Sequence, residues 1–170
     1  MGHNVRLFAG PLDAMRRYLD VLPGVSVYAL TPGAEHLVLP LTDDIHDRLH
    51  SVHGTGEWLA EGPRLSSGDL AFALEASRGT ALAYLETGYF GGAGEQSAML
   101  WVGGGEILRP TRMSAEEART RPAVFWPINV ALKGLGVQAA PGLDEFTTFG
   151  LGGFRSAGDI LERAVPIARG

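Results

Sequence analysis

Residues 80–110, TALAYLETGYFGGAGEQSAMLWVGGGEILRP, constrain this chain more than any other stretch, because two apolar runs flank one glycine cluster and a second cluster follows. Successive side chains of a strand point to opposite faces, so residues 81–90 and 95–102 each divide into two sets. A four-residue turn at Gly91, Gly92, Ala93 and Gly94 sets Phe90 opposite Glu95 and Tyr84 opposite Trp101. One face then carries the smaller set, with Ala83, Leu85, Thr87, Tyr89, Gln96, Ala98, Leu100 and Val102. The other carries Leu82, Tyr84, Glu86, Phe90, Glu95, Ser97, Met99 and Trp101, large apolar groups mixed with two carboxylates. Neither face is cleanly polar, which predicts interior strands covered at least partly on both sides. Gly103, Gly104 and Gly105 turn the chain again into residues 106–108, completing a three-stranded meander.

The flanking segments supply helices and further strands. Val5 to Ala9 reads as a strand, and Pro11 opens a helix to Leu22 with Leu12, Met15, Tyr18 and Leu19 on its apolar stripe. Residues 25–30 and 36–41 read as short strands. Thr42 caps a helix to about His53, and Ser66 with Asp69 caps another through Ala76. Beyond Pro110, Ser114 with Glu117 resembles a capping box, Pro127 to Leu135 is amphipathic and ends at Gly136, residues 144–149 form a short helical turn, and Ser156 with Asp159 caps a last helix over residues 160–165. These elements predict an α+β fold: a single mixed or antiparallel sheet with a C-terminal three-stranded meander, packed against several helices, with residues 1–170 as one domain.

Composition narrows the function classes. A net charge of −5 with no basic stripe argues against nucleic acid. Zero cysteines exclude disulfides, thiolate nucleophiles and cysteine-ligated zinc, and fit a cytoplasmic setting. No run approaches the roughly 20 apolar residues of a membrane span, so a soluble, unexported chain with no membrane contact is expected.

The strings YFGGAGEQSAMLW (Tyr89 to Trp101), PINVALKGLGV (Pro127 to Val137) and DEFTTFGLGGFR (Asp144 to Arg155) resemble a family of small uncharacterised bacterial proteins with a YFGGxGEQ strand-turn-strand motif. The resemblance covers the C-terminal half. It implies a bacterial single-domain protein and carries no established activity.

Candidate chemistry is sparse. Glu86 and Glu95 form a carboxylate pair, but the register above separates their backbones by roughly 13 Å along the strand, too far for a glycosidase-type site and better suited to rim contacts. His46, His50 and His53 follow one another at i, i+4 and i+7, a spacing that lines one side of a helix and could present imidazoles to a metal. Their position beside the Ile45 and Leu49 stripe, with Asp43 and Asp47 nearby, instead favours a solvated face, and neither a metal nor another cofactor is expected. Gly91 to Gly94 precedes a strand and a carboxylate, which suits a turn and not a phosphate cradle; Gly150 to Arg155 is the better anion loop, with a hinge as the simpler reading. Ser97 and Ser156 lack a nucleophile-elbow context. Trp126 and Asn129, with Trp58 and Trp101, could line an aromatic pocket or anchor an interface, while ordinary core packing explains each tryptophan singly.

Two function classes follow, and catalysis is left open. The first is a protein-binding module, of the immunity or inhibitor type, docking a partner or a second copy through Tyr84, Glu86, Phe90, Glu95, Gln96 and Trp101. The second is a small-molecule-binding protein or enzyme with its site between the meander and the C-terminal helices, using Glu86, Gln96 or the histidine helix.

Overall fold

The structure, a computed structural model, describes residues 2–170. Seven strands, β1 (His3–Gly10), β2 (Ser26–Ala29), β3 (Leu37–Pro40), β4 (Ala81–Phe90), β5 (Ala93–Val102), β6 (Gly105–Ser114) and β7 (Val165–Arg169), form one sheet in the order β6-β5-β4-β1-β3-β2-β7. Every pairing is antiparallel. The helices are α1 (Leu12–Leu19), α2 (Asp43–His53), α3 (Ser67–Ala76), α4 (Ala115–Thr120), α5 (Pro127–Leu135), α6 (Glu145–Phe149) and α7 (Ala157–Arg163).

The sheet separates two cores. On one side Phe8, Leu39, Leu82, Tyr84, Met99 and Trp101 pack with Met15 and Tyr18 of α1, Ile45 and Leu49 of α2, and Ala73 and Ala76 of α3. On the other, Val5, Leu7, Val38, Leu85, Ala98 and Leu100 pack with Ile128, Ala131 and Leu132 of α5, Phe149 of α6 and Ile160 of α7. The central strand β1 is apolar on both faces because helices cover both, as expected for interior strands.

Local chemistry sets the helix ends. The Thr42 hydroxyl accepts from the Ile45 N–H at 3.2 Å, and Ser66 with Asp69 and Ser114 with Glu117 form complete capping boxes. Pro127 occupies the first turn of α5, and Gly136 ends it at φ 108°, a left-handed conformation open to glycine. No helix among the described residues is long and apolar enough to cross a membrane.

The β4-β5 register corrects the sequence expectation. Phe90 pairs with Ala93, so the turn holds two residues, Gly91 and Gly92, and Tyr84 faces Met99 while Leu82 faces Trp101. Both tip glycines have positive φ, 60° and 82°, the geometry of a tight hairpin whose twist matches its strands. Gly94 is drawn into the strand at φ 128°, where a Cβ would collide with the Gly88 carbonyl. The slip is two residues, an even number, so each side chain keeps the face assigned to it. The meander is also longer than expected, with β6 continuing to Ser114, and the chain ends in an unforeseen strand, β7, against β2. Both β6 and β7 are edge strands carrying a proline, Pro110 and Pro166, where a missing N–H can face away from the neighbouring strand.

Candidate functional site

Tyr84 and Trp101 do not form an open docking surface. They are 0% and 1% exposed, sealed in the core that α1, α2 and α3 cover, so neither side chain reaches a partner in the folded state. Burial, and then the Glu86 carboxylate, hold the Tyr84 hydroxyl well above the ordinary tyrosine range. That hydroxyl donates to Glu86 Oε2 at 2.9 Å, and the Arg64 N–H donates to the same oxygen at 2.7 Å. Glu86 thereby fastens the loop before α3 to the sheet. Glu95 forms an ion pair with Arg112 at 2.6 Å. In the observed register Glu95 lies opposite Gly88 and Glu86 opposite Ser97, which makes the two carboxylates diagonal neighbours about 7–8 Å apart at the backbone instead of 13 Å. Each is already held by a cationic or N–H donor, an arrangement for fixing strands and loops. Of the expected docking surface, Phe90 is the side chain that stands out, 80% exposed at the hairpin tip.

Gln96 occupies a different setting. With Thr87 and Tyr89 it lies on the opposite face of β4 and β5, where a cleft of about 520 Å³ opens between the hairpin and the C-terminal helices. α5 supplies Ile128 and Asn129, α6 supplies Phe146, and Trp126 closes one side. Helix α4 crosses the mouth, presenting Ala115, Ala118 and Arg119, and Arg119 Nη2 donates to the Gly92 carbonyl at 2.8 Å, tying the helix to the hairpin tip. The remaining wall is His3 of β1, whose ring lies 5.7 Å from that of Phe146.

Most polar groups in this cleft are committed to one another. Gln96 Oε1 accepts from the Ile128 N–H at 3.2 Å, and its Nε2 donates to the Tyr89 hydroxyl oxygen at 3.0 Å. Asn129 Nδ2 donates to the Ala123 carbonyl at 2.9 Å and to Asp144 Oδ2 at 3.3 Å, while its Oδ1 accepts from the Phe146 N–H at 2.8 Å. His3 lies 2.6 Å from the Thr87 hydroxyl through Nδ1 and 3.3 Å from the Leu151 carbonyl through Nε2; the carbonyl can only accept, which assigns the ring proton to Nε2 and makes Thr87 the donor to Nδ1. Three groups keep donors to spare, Gln96 through the second N–H of Nε2 among them. The Tyr89 oxygen receives the Gln96 proton, so its own O–H is left to point elsewhere, and burial raises its pKa against the opposing Gln96 bond, keeping it protonated. Arg119 spends one of its five N–H groups on Gly92.

Across the sheet lies a second cluster. The solvated face expected for His46, His50 and His53 does not form, because α3 and the loop before it pack against that side of α2. Gly68 of α3 donates to the Thr55 carbonyl at 3.0 Å, and a Cβ on it would collide with the Gly54 carbonyl, so the end of α2 and the start of α3 touch backbone to backbone. That contact delivers Asp69, 1% exposed, to the histidines. Asp69 Oδ2 lies 3.0 Å from His46 Nε2 and 3.1 Å from His50 Nε2, and it accepts from the Ser66 N–H at 2.8 Å and the Ser66 hydroxyl at 3.0 Å. Burial pushes the Asp69 carboxyl upward, but the bonds from His46, the Ser66 N–H and His50 outweigh it and hold the group far below the usual carboxylate range. Trp58 packs edge-to-face with the rings of His46 and His50, their centroids 5.7 and 5.4 Å apart.

The weaker candidates resolve simply. Around Gly150–Arg155 the chain makes a single 3-10 turn, Leu151–Gly153, and the Asp159 carboxylate accepts from the Arg155 N–H at 2.9 Å, filling the position an anion would take. Sequence reasoning marked Gln96, Trp126 and Asn129 but missed His3, Tyr89 and Arg119, which reach the cleft from three separate elements. No family model, curated protein or solved structure matches the chain, and the functional reading therefore rests on these two constellations.

Proposed function

We propose that this protein binds a small, largely apolar molecule carrying an anionic group in the cleft between the meander and the C-terminal helices. One observation carries the reading: carbon-rich walls enclose a cleft of about 520 Å³, within the 300–1,000 Å³ of small-molecule sites, and a few polar groups converge on it. The Tyr89 O–H serves a ligand acceptor, and Arg119 at the mouth serves a carboxylate or sulfonate. Binding, and not turnover, is the role these residues support. His3 and Asn129 are bonded to the protein through both of their polar atoms and Gln96 is held at both ends of its amide, which leaves no free imidazole or carboxylate aimed at a reacting atom.

Anilinonaphthalene sulfonate combines an aromatic body with one anion and is a suitable probe. At about 0.3 kcal/mol for each of its roughly 21 non-hydrogen atoms, binding of about −6 kcal/mol is expected, a Kd in the tens of micromolar. Fluorescence titration of the folded protein should saturate in that range. Ala118→Trp, which fills the mouth from α4, should weaken binding at least about tenfold, equivalent to roughly 1.4 kcal/mol, while circular dichroism stays native. Undiminished binding by the tryptophan variant places the probe elsewhere and removes the reading.

A further inference from the structure

The buried histidine cluster on the other side of the sheet carries an inference independent of the cleft. Among the described residues, three buried side-chain polar atoms lack a protein partner: Asp69 Oδ1, His53 Nε2 and the Tyr18 hydroxyl. The first two face each other at 3.6 Å. His53 is oriented by its other nitrogen, which lies 2.7 Å from the Gly54 carbonyl; a carbonyl cannot donate, so Nδ1 carries a proton there and Nε2 is turned toward the unpartnered carboxylate oxygen. Neither atom has a hydrogen-bond partner, and a cation between them would satisfy both. A ring held by Nδ1–H to a carbonyl, with Nε2 presented inward, is the arrangement metal-bound histidines adopt.

The rest of the cluster has the same character. His46 Nε2, His50 Nε2 and an Asp69 oxygen all lie within 4.8 Å of one another. Their separations from Asp69 Oδ2, 3.0 and 3.1 Å, approach the roughly 3.3 Å between ligand atoms placed 2.0–2.1 Å from a tetrahedral ion. Hydrogen bonding alone distributes poorly here. Oδ2 faces four donors, namely two imidazoles and the N–H and hydroxyl of Ser66, while Oδ1 has none.

We infer that His46, His50 and Asp69, with His53 as the adjoining fourth donor, form a buried site for a divalent transition metal of the zinc class. The donor set selects the ion. Imidazoles with one carboxylate suit zinc, cobalt, nickel or copper, whereas calcium and magnesium demand shells dominated by oxygen. The site is closed: Asp69 and His46 are buried and Trp58 stands over both leading rings. Its role is structural, joining α2 to α3 where Gly54 meets Gly68, and it requires no ligand in the cleft.

Cobalt(II) tests the inference. Titration into the metal-free, folded protein should give ligand-field absorption in the visible, saturating at about one equivalent as four-coordinate nitrogen and oxygen sites do. Zinc should displace it and raise the unfolding temperature. In histidine 15N spectra of the wild-type protein, zinc should shift the ring nitrogens of His46 and His50 and leave those of His3 and His36 in place. His50→Gln should weaken cobalt binding by more than the roughly 10–100-fold that loss of an outer partner costs. The inference is overturned if the wild-type protein shows no cobalt band with excess metal, or if the shifts fall on His3 and His36. The wild-type spectra decide between these outcomes even if the variant fails to fold.

Discussion

Asp69→Ala is expected to destabilise the metal-free protein by about 3–5 kcal/mol, the usual cost of removing one member of a buried charged network. The carboxylate is the acceptor for the N–H and hydroxyl of Ser66, for His46 and for His50, and alanine leaves these buried donors with nothing to replace it. It also removes half of the capping box that starts α3. Since native domains are stable by only about 5–15 kcal/mol, a large share of the folded population is at stake. Urea denaturation measures this directly: the midpoint should fall while the slope stays close to wild type. Asp69→Asn keeps an acceptor oxygen and should cost less. A loss below about 1 kcal/mol for alanine, the scale of an exposed ion pair, means that the cluster is solvated after all.

Trp101→Ala should cost a similar amount, about 3–5 kcal/mol, for a different reason. The indole is fully enclosed in the cluster that includes Leu82, Met99, Ala73 and Ala76, and truncation loses its transfer free energy and leaves a cavity the sheet cannot close. This substitution separates a core residue from a docking anchor. An anchor on an open face could be removed with little effect on stability, whereas loss of the enclosed indole should lower the thermal midpoint by about 6–20 °C, at roughly 2–4 °C per kcal/mol for a chain of this size. Stability within about 0.5 kcal/mol of wild type is incompatible with the packing described.

The contrast over Trp101 shows what the sequence could and could not convey. Alternation of side chains is a local property, so the two faces of β4 and β5 were readable, and they survive a register error because the turn shortened by an even number of residues. Which helices lie on each face is not local. Tyr84 and Trp101 look like an aromatic patch when β4 and β5 are considered alone, and become core once α1 and α3 return to that side. Polar ends were legible for the same local reason: the capping pairs at Ser66 and Ser114 form as read, each within four residues. Strand β7 escaped because Val165, Pro166 and Ile167 offer no alternation a proline does not interrupt, and the pairing with β2 reaches back well over a hundred residues.

The functional groups follow the same division. Histidine spacing on α2 was visible, but the buried acid it meets lies on the next helix, brought in by the Gly54–Gly68 contact. The capping pattern of Ser66 and Asp69 marks the acid as a helix-start residue but carries no local sign of the histidines it meets. Gln96 was singled out, yet its role depends on Ile128, 32 residues later, and on Tyr89 across the hairpin. His3 and Arg119 carry no local mark at all; only the closed fold sets them beside the same cleft.

Backbone 1H–15N spectra recorded while anilinonaphthalene sulfonate is titrated into the protein bear most directly on whether the cleft is the binding site. Shifts should be largest at Tyr89, Gln96, Ile128 and Asn129 and in the Gln96 side-chain amide, with α1, α2 and α3 on the far side of the sheet unmoved. Shifts concentrated in those three helices, or none at probe concentrations well above the tens of micromolar expected, contradict it.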